Sequence, residues 1–420
     1  MTNLTSIDHT TMREMNLVLV LNTLRQNAPI SRAEIARMTG LRKATVSSLV
    51  KDLVTGGFVQ DIGVDPTSTQ IGRPSSYLKL NPEAGNIIGA EIGVDFISVI
   101  ATDFAAEIIT RKHESTLDLD TQEEIIDRTI EILKEIYKEA SQGDRPVFGI
   151  GLGVPGLVDE STGTLLFAPN LGWRDVPLRK IFEAEFNVPV YVDNEANLAA
   201  LGETYFGAGQ DSSLVLYIVS GTGLGGGIVI NGQLLTGSGG FTGEVGHMTI
   251  DPAGLLCNCG NHGCWETVAS QRSVFRRVRE GITKGKKSSL MDTIDGDLNK
   301  LTIPLVVEAA ASGDPVACQA LEETGYWLGL GIANLMNALN PQRVVIGGTL
   351  SLAKECLMPA IRDVVNQRAL PWVAETAEIM IAEHGADACV IGGIATVYQK
   401  ILSQPTGWLC QFTFTQSASQ

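Results

Sequence analysis

The first eighty residues show a helical pattern of apolar positions that is interrupted by a proline and then by a turn. Apolar residues recur at helical spacing over residues 17–24, and Pro29 interrupts that pattern. A second helix is predicted from Ser31, because Ser31 and Glu34 match the capping box, in which two side chains pair with free backbone N–H groups. Its buried face is expected to comprise Ile35 and Met38.

A third helix is predicted directly after the turn at Thr39 and Gly40. Its apolar side has the spacing i, i+3, i+4, i+7 and comprises Val46, Leu49, Val50 and Leu53. Its opposite side is polar and basic and comprises Arg42, Lys43, Thr45 and Ser48. Strand-like residues 58–62 and 76–80 flank a polar loop containing Arg73, which is typical of a hairpin wing.

This order of helices, turn and wing is typical of a winged helix-turn-helix domain that binds DNA, and we assign it to residues 1–82. The polar face of the third helix would then reach bases or phosphates in the major groove, and Arg73 would enter a minor groove. Residues 1–80 contain nine Lys and Arg and six Asp and Glu, so this part carries +3 and the remainder −19 of a total of −16. A three-helix unit can also serve as a protein-interaction module.

After Pro82 the pattern changes to an alternation of strands and helices, which is typical of an α/β domain. A long amphipathic helix is predicted over residues 121–140. Strands are predicted over residues 87–93, 97–102, 147–153, 188–192, 214–219, 226–230 and 343–347. The polar segment 403–420 has no periodicity and is predicted to be a disordered tail.

The length of 420 residues favours a small domain joined to a larger one. The sequence has no apolar run of about 18 residues, and its first twenty residues differ from a signal peptide. We therefore expect a cytoplasmic protein that does not contact membranes. The seven cysteines agree, because three of them are crowded and four are scattered, which is unlike a disulfide framework.

The strongest chemical signal is the group of His247, Cys257, Cys259 and Cys264. Four such ligands fit tetrahedral zinc, and they would fill its coordination sphere, so the predicted ion is structural. His262 could replace His247 as the fourth ligand. The alternative is three ordinary buried cysteines beside a core histidine.

A glycine-rich run, residues 220–227, follows an apolar strand. Successive backbone N–H groups in such a loop could hold phosphate. A tight turn between two hairpin strands explains the glycines equally well. The predicted phosphate-loop residues are Gly221, Thr222, Gly223 and Gly225.

A set of amide, carboxylate and imidazole side chains has the mixture that sugar hydroxyls require, because each accepts or donates in a fixed direction. Any one of them could instead be a helix cap or a surface carboxylate. The set comprises Asn170, Asn194, Glu195, Glu244, His247 and Glu266.

Together these segments resemble the ROK family of bacterial sugar kinases and sugar-responsive repressors. The resemblance rests on the zinc segment 244–266, on residues 151–156 and on residues 170–173. It implies an actin-like, ribonuclease H-like duplicated fold over residues 83–402. One lobe would span about 86–205 with the C-terminal helix 388–402, and the other 206–387. It also implies that the polar set binds sugar, with His247 using one ring nitrogen for zinc and the other for the sugar.

Two departures from the kinase pattern favour a repressor of the xylose-repressor branch over an enzyme. Kinases of this family have Asp, the catalytic base, where this chain has Glu195. A displacement of about 1 Å at a reacting group can cost about a hundredfold in rate. The first phosphate loop of the kinases resembles Asp-x-Gly-Gly-Thr, whereas this chain has Val94 and Asp95 at the last two positions. Asp95 would repel the phosphates of ATP.

The expected partners are a palindromic DNA operator, bound by a homodimer or a dimer of dimers, and a monosaccharide effector. Xylose is the first choice of sugar and a hexose the second. An activator remains open beside a repressor. The alternative class is an ATP-dependent sugar kinase with an accessory DNA-binding domain.

Overall fold

The computed structural model describes residues 9–64, 76–141 and 145–408, to which the statements below refer. They form a small N-terminal domain, here called the head, and a body of two lobes, each built on a five-stranded sheet. None of the described helices is long and apolar enough to cross a membrane.

The head has three helices and a three-stranded antiparallel sheet in the order β1-β3-β2. Its elements are α1 (His9–Asn27), β1 (Ile30–Ser31), α2 (Arg32–Thr39), α3 (Lys43–Thr55), β2 (Val59–Val64) and β3 (Ser76–Leu80). This is the predicted winged helix-turn-helix order.

Local sequence signals account for the ends of α2. Ser31 and Glu34 form the predicted capping box, and Gly40 ends the helix at a φ of 72°, which favours glycine. The prediction for its buried face was half wrong, because Met38 is 48% exposed and Ala36 is buried beside Ile35. Met38 lies in the second turn of this eight-residue helix, next to its end at Gly40.

The first lobe contains a mixed sheet in the order β11-β7-β4-β5-β6. Its strands are β4 (Asn86–Ile92), β5 (Phe96–Asp103), β6 (Ile108–Ser115), β7 (Val147–Val154) and β11 (Val190–Asn194), and a small separate sheet holds β8 (Leu157–Asp159), β9 (Thr164–Ala168) and β10 (Trp173–Val176). Its helices are α4 (Gln122–Ala140), α5 (Leu178–Phe186) and α6 (Glu195–Phe206).

The second lobe contains a sheet in the order β14-β13-β12-β15-β16. Its strands are β12 (Leu214–Ser220), β13 (Leu224–Ile230), β14 (Gln233–Leu234), β15 (Arg343–Gly347) and β16 (Glu378–Ile381). Its helices are α7 (Glu266–Ala269), α8 (Gln271–Thr283), α9 (Leu290–Thr293), α10 (Ile303–Ala311), α11 (Pro315–Leu339), α12 (Lys354–Arg368) and α13 (Pro371–Thr376). The helix α14 (Ala388–Ser403) follows the second lobe in the chain.

The two large sheets have the same topology. In each, the first strand along the chain, β4 or β12, has an antiparallel strand on one side, which continues through a turn into a further antiparallel strand. On its other side the sheet continues with two parallel strands, β7 and β11 or β15 and β16. This repetition is the duplicated, actin-like arrangement. Carboxyl ends of the parallel strands are where an open α/β sheet places its ligands.

The last helix, α14, returns to the first lobe and packs on β4, β7 and α6. A Cβ on Gly151 would lie 2.1 Å from the carbonyl oxygen of Gly393, so glycine permits this close contact between sheet and helix.

The head and the body share one hydrophobic core. Phe58 of the head lies 5.1 Å from the ring of Phe104 and 6.0 Å from that of Phe148, and Phe104 stacks on Tyr398 of α14. Apolar residues of α1, α3, β4 and α14 belong to the same buried cluster. The head is therefore packed against the body rather than attached through a linker.

The prediction of a disordered tail from residue 403 was wrong for residues 403–408. Ser403 still belongs to α14, and residues 405–408 form a further helical turn. The hydroxyl of Thr406 donates to Glu14 of α1 at 2.6 Å, and Trp408 packs edge-on against Phe148 at 5.7 Å. These contacts with α1 of the head and with β7 of the first lobe explain why the polar segment is ordered there. Residues 409–420 lie outside the described residues.

Candidate functional site

Asn194 lies at the carboxyl end of β11 and caps α6. Its Oδ1 accepts the backbone N–H groups of Ala196 and Asn197 at 2.8 and 3.4 Å. Its Nδ2 donates to the carbonyl of Gly156 at 2.9 Å and to the carboxylate of Glu195 at 2.8 Å. The cap therefore fixes the loop after β7 and holds Glu195 in place.

Glu195 has other carboxyl groups near it, of which Glu91 and Asp193 are buried and Glu244 is exposed. Burial raises its pKa to about 8, with repulsion from Glu91 and Glu244 as further contributions. Burial also raises the pKa of Glu91 to about 8 and that of Asp193 to about 6. Oε2 of Glu91 is buried without a hydrogen-bond partner among the described residues. Burial therefore favours the protonated form of both Glu195 and Glu91.

The turn between β4 and β5 carries the two residues that depart from the kinase phosphate loop. Val94 is 43% exposed and Asp95 is also exposed, so both side chains face solvent at the tip of the hairpin. The carbonyl of Asp95 accepts the N–H of Thr116 at 2.9 Å, which fixes the turn.

The predicted glycine loop is the turn of the β12–β13 hairpin. Ser220 pairs with Leu224 across the strands, and the N–H of Gly221 donates to the carbonyl of Gly223 at 2.9 Å. Thr222 is exposed at the tip, and Gly225 already lies in β13. The hairpin interpretation is therefore correct, and a phosphate-binding role of this loop stays a prediction.

The second lobe contributes Glu244, His247 and Glu266. Nε2 of His247 lies 3.8 Å from Glu244 and its Nδ1 lies 3.7 Å from Glu266. Glu266 begins α7, and a Cβ on Gly223 would lie 3.1 Å from its Oε2, so the glycine turn abuts this carboxylate. Burial and Glu266 raise the pKa of Glu244, against the effect of His247. These three predicted residues therefore form one group.

The four predicted metal ligands also come together. One ligand atom from each of the residues His247, Cys257, Cys259 and Cys264 lies within 4.8 Å of all the others. The distance from Cys259 Sγ to Cys264 Sγ is 3.6 Å, and that from Cys257 Sγ to His247 Nδ1 is 3.7 Å. Sulfurs at about 2.3 Å from a tetrahedral ion would be about 3.8 Å apart, so the spacing fits zinc.

The loop that carries the thiols depends on a close backbone contact. Gly263 has a φ of 68°, and a Cβ there would lie 1.5 Å from the carbonyl oxygen of Asp251. His262 is exposed and is not a member of the ligand group, which favours His247. The Nδ1 atom of His247 faces the thiol of Cys257, and its Nε2 lies on the side of Glu244.

Asn170 is the predicted sugar contact with the weakest support. It is exposed in the turn between β9 and β10. That turn lies beside the loop after β7, because a Cβ on Gly156 would be 2.3 Å from the carbonyl oxygen of Phe167. No hydrogen bond or ion pair between its side chain and the other five predicted residues is found in the described part of the chain.

Two buried carboxylates were missed. Asp193 accepts Asn197 Nδ2 at 3.0 Å next to the cleft, and Glu203 of α6 is fully buried. Glu203 accepts three backbone N–H groups, those of Ala208, Glu383 and His384, at 2.9–3.1 Å. A charged residue in an otherwise apolar helical stretch was the signal that could have identified Glu203.

The predicted DNA-binding face lies at the start of α3. Arg42, Lys43 and Ser48 are exposed and Thr45 is half-buried, while the opposite side of α3 is buried as predicted. No ion pair in the described part of the chain involves Arg42 or Lys43. Their charges are therefore available to phosphate. Arg73 lies outside the described residues.

Comparisons with known proteins divide the chain into the same two parts, the head and the body. A model of the ROK family matches residues 87–400, and a model of the MarR family matches residues 18–65. The chain belongs to the ROK family. The predicted family is therefore confirmed, and with it the fold of a winged helix-turn-helix followed by an actin-like domain.

Relatives of this ROK protein include repressors and kinases. It is 37% identical over 398 residues to a xylose repressor of Caldicellulosiruptor bescii, covering 95% of this chain and 99% of the relative. It is 41% identical over 322 residues to a glucokinase of Halalkalibacterium halodurans, covering 76% of this chain and 97% of the relative. A crystal structure of a ROK family transcriptional regulator, homologous to the MLC protein of E. coli, matches with a TM-score of 0.80, 27% identity and coverage of 96% and 98%.

Proposed function

We propose that the protein is a transcriptional repressor of carbohydrate-utilisation genes, which a monosaccharide releases from its operator. The observation that carries this proposal is the exposed basic start of α3 on a head that shares its core with a sugar-kinase-like body. The relative named xylose repressor extends over both parts, which makes xylose the first sugar to test. We expect such a repressor to act in the cytoplasm.

Sugar binding is assigned to the cleft residues of the two lobes. Asn194 and Glu195 approach from the first lobe, and Glu244, His247 and Glu266 from the second, with Asn170 at the margin. A protonated Glu195 can donate a hydrogen bond to a hydroxyl, while the other carboxylates accept. Because the ligand would touch both lobes, binding favours their closure.

The group His247, Cys257, Cys259 and Cys264 would hold a structural zinc ion. Zinc binds thiolates and imidazole and leaves no open position when four protein ligands are present. The ion would fix the loop and set the ring of His247, so that Nε2 stays directed at the cleft.

The repressor is expected to be a homodimer, or a dimer of dimers, on a palindromic operator. Arg42 and Lys43 would contact phosphates or bases in each half-site, with Thr45, Ser48 and Arg73 as further contacts. Sugar-driven closure of the lobes would change the relative position of the two heads. The sugar can shift the equilibrium between the operator-binding and the released arrangement of the dimer only by the ratio of its affinities for those two arrangements.

The alternative is a sugar kinase, and the glucokinase relative is the observation in its favour. Its base would be Glu195, whose pKa is raised to about 8. Asp95 in the first loop would repel the phosphates of ATP, which opposes phosphoryl transfer.

The test uses an operator selected from random duplexes by the purified full-length protein. Binding is followed by fluorescence anisotropy while xylose, glucose and other monosaccharides are added. The proposal expects one sugar to weaken binding at least tenfold and Glu266→Gln to abolish this response. Gln367→Glu, an exposed change on α12, serves as the control.

Two results would contradict the proposal. One is DNA affinity that no sugar changes in either direction. The other is sugar-dependent release of ADP from ATP at about 1 s⁻¹ or faster, which is an ordinary enzyme rate.

A further inference from the structure

A polar cavity of about 480 Å³ lies between the head and the body, away from the sugar cleft. Its walls come from α1, α6, the loop before β12, the β13–β14 turn and α14. Most of the remaining contact between head and body is apolar. The volume lies in the range of small-molecule sites in proteins.

Arg25 of α1 is the one cationic side chain in this cavity wall. Its Nη1 donates to the carbonyl of Tyr205 at 3.2 Å, and its guanidinium lies 4.6 Å above the ring of the same tyrosine. Its Nε is buried without a hydrogen-bond partner among the described residues. Arg25 is half-buried, and a partly desolvated guanidinium is stabilised by an opposite charge close to it.

No carboxylate of the described chain forms an ion pair with Arg25. Asp211, at the exposed edge of the same cavity, acts on it only as a more distant charge. An anion entering the cavity would therefore supply the missing counter-charge through a charge-assisted hydrogen bond.

The other polar groups of the wall are mainly amides. Asn22 and Gln26 extend from α1, and Asn231 and Gln233 lie at the β13–β14 turn. Gln399 of α14 also lines the cavity and donates to the carbonyl of Gly232 at 3.0 Å. Amides both donate and accept, so they suit hydroxyl groups better than a bare ion.

We propose that this cavity is a second small-molecule site, which takes an oxyanion bearing hydroxyl groups and bridges α1 of the head to the second lobe. A sugar acid and a sugar phosphate share this chemistry. An influence of the ligand on operator affinity rests on the proposed function, whereas binding itself does not. Calorimetry without DNA therefore separates failure of this site from failure of the repressor proposal.

The experiment titrates the full-length protein with D-gluconate, D-ribose 5-phosphate, inorganic phosphate and neutral D-glucitol. The site predicts saturable binding of gluconate or ribose 5-phosphate, at least tenfold tighter than of glucitol. The stronger of the two identifies carboxylate or phosphate as the preferred anion. Inorganic phosphate should bind more weakly than either, because it has no hydroxyls for the amides.

Two variants distinguish this cavity from the sugar cleft. Arg25→Gln should weaken anion binding about tenfold or more through loss of a charged hydrogen bond. Gln26→Glu changes an exposed side chain at the cavity and should weaken it about threefold by repulsion. Gln367→Glu on α12 adds the same charge elsewhere and should leave affinity unchanged.

The proposal is overturned if no hydroxylated oxyanion binds, or if glucitol binds as tightly as gluconate. It is also overturned if anion affinity is the same in Gln26→Glu as in the Gln367→Glu control. If Arg25→Gln fails to fold, the Gln26→Glu comparison still decides the outcome.

Discussion

The hydroxyl of Tyr398 is predicted to reduce the stability of the protein. The side chain is fully buried, its ring is stacked on Phe104 at 5.3 Å and it meets Phe206 edge-on at 5.7 Å. Its hydroxyl has no hydrogen-bond partner among the described residues. Tyr398→Phe keeps the ring contacts and removes only this oxygen.

The expected gain follows from two opposing contributions. A buried polar group without a partner costs about 1–3 kcal/mol. The space left by the oxygen, roughly 12 Å³, costs about 0.3 kcal/mol at 24 cal/mol per Å³. We therefore expect Tyr398→Phe to raise the free energy of unfolding by about 1–2 kcal/mol, although most substitutions lower it.

Tyr205→Phe is the matched control. The hydroxyl of Tyr205 bonds to Gln399, so its removal should lower the free energy of unfolding by about 1 kcal/mol. Urea unfolding, followed by tryptophan fluorescence, should show midpoint shifts of opposite sign at unchanged slope. A lower midpoint for Tyr398→Phe would refute the reasoning and indicate that its hydroxyl has a partner such as a buried water.

Three further predictions concern charge and metal. Because the pKa of Glu195 is raised above its unfolded value, the folded state holds more protons, and stability should fall from about pH 4.5 to 8. The decrease of the unfolding free energy with pH should become shallower in Glu195→Gln, by up to about 1.4 kcal/mol per pH unit, as measured by urea unfolding at several pH values. An unchanged decrease would contradict the raised pKa of Glu195. Cys264→Ser should bind less than the one zinc ion per chain expected of the unchanged protein, as measured by elemental analysis, and it should lose the sugar response. Full zinc content in the variant would exclude Cys264 as a ligand. Arg42→Ala and Lys43→Ala should each weaken operator binding. Each should also reduce the dependence of operator affinity on salt concentration by about the amount that one phosphate contact contributes. An unchanged salt dependence would show that neither residue contacts the DNA.

Local signals were sufficient for the head and for much of the site. The capping box at Ser31 and the apolar spacing of α3 identified elements whose determinants lie within a few residues of one another. The grouping of the predicted metal ligands was equally accessible, because three of the four lie within eight residues of sequence. The family resemblance supplied the duplicated fold, which the pattern of strands alone did not specify.

Contacts between distant segments could not be predicted in this way. Phe58 and Tyr398 are 340 residues apart, and nothing in the pattern around either one indicates that they share a core. The same limit explains the missed order of Trp408, whose partner Phe148 belongs to β7. Short elements such as β1 and β14, with two residues each, have too few positions to show a period.

The joining of α1 to residues 405–408 has a consequence for biosynthesis. Part of the apolar core that the head shares with the body is supplied by Tyr398, 340 residues after Phe58, so this core is completed only once α14 has been synthesised. A chain cut short before α14 would expose the apolar side of its own head. Packing of the head is thereby tied to synthesis of α14.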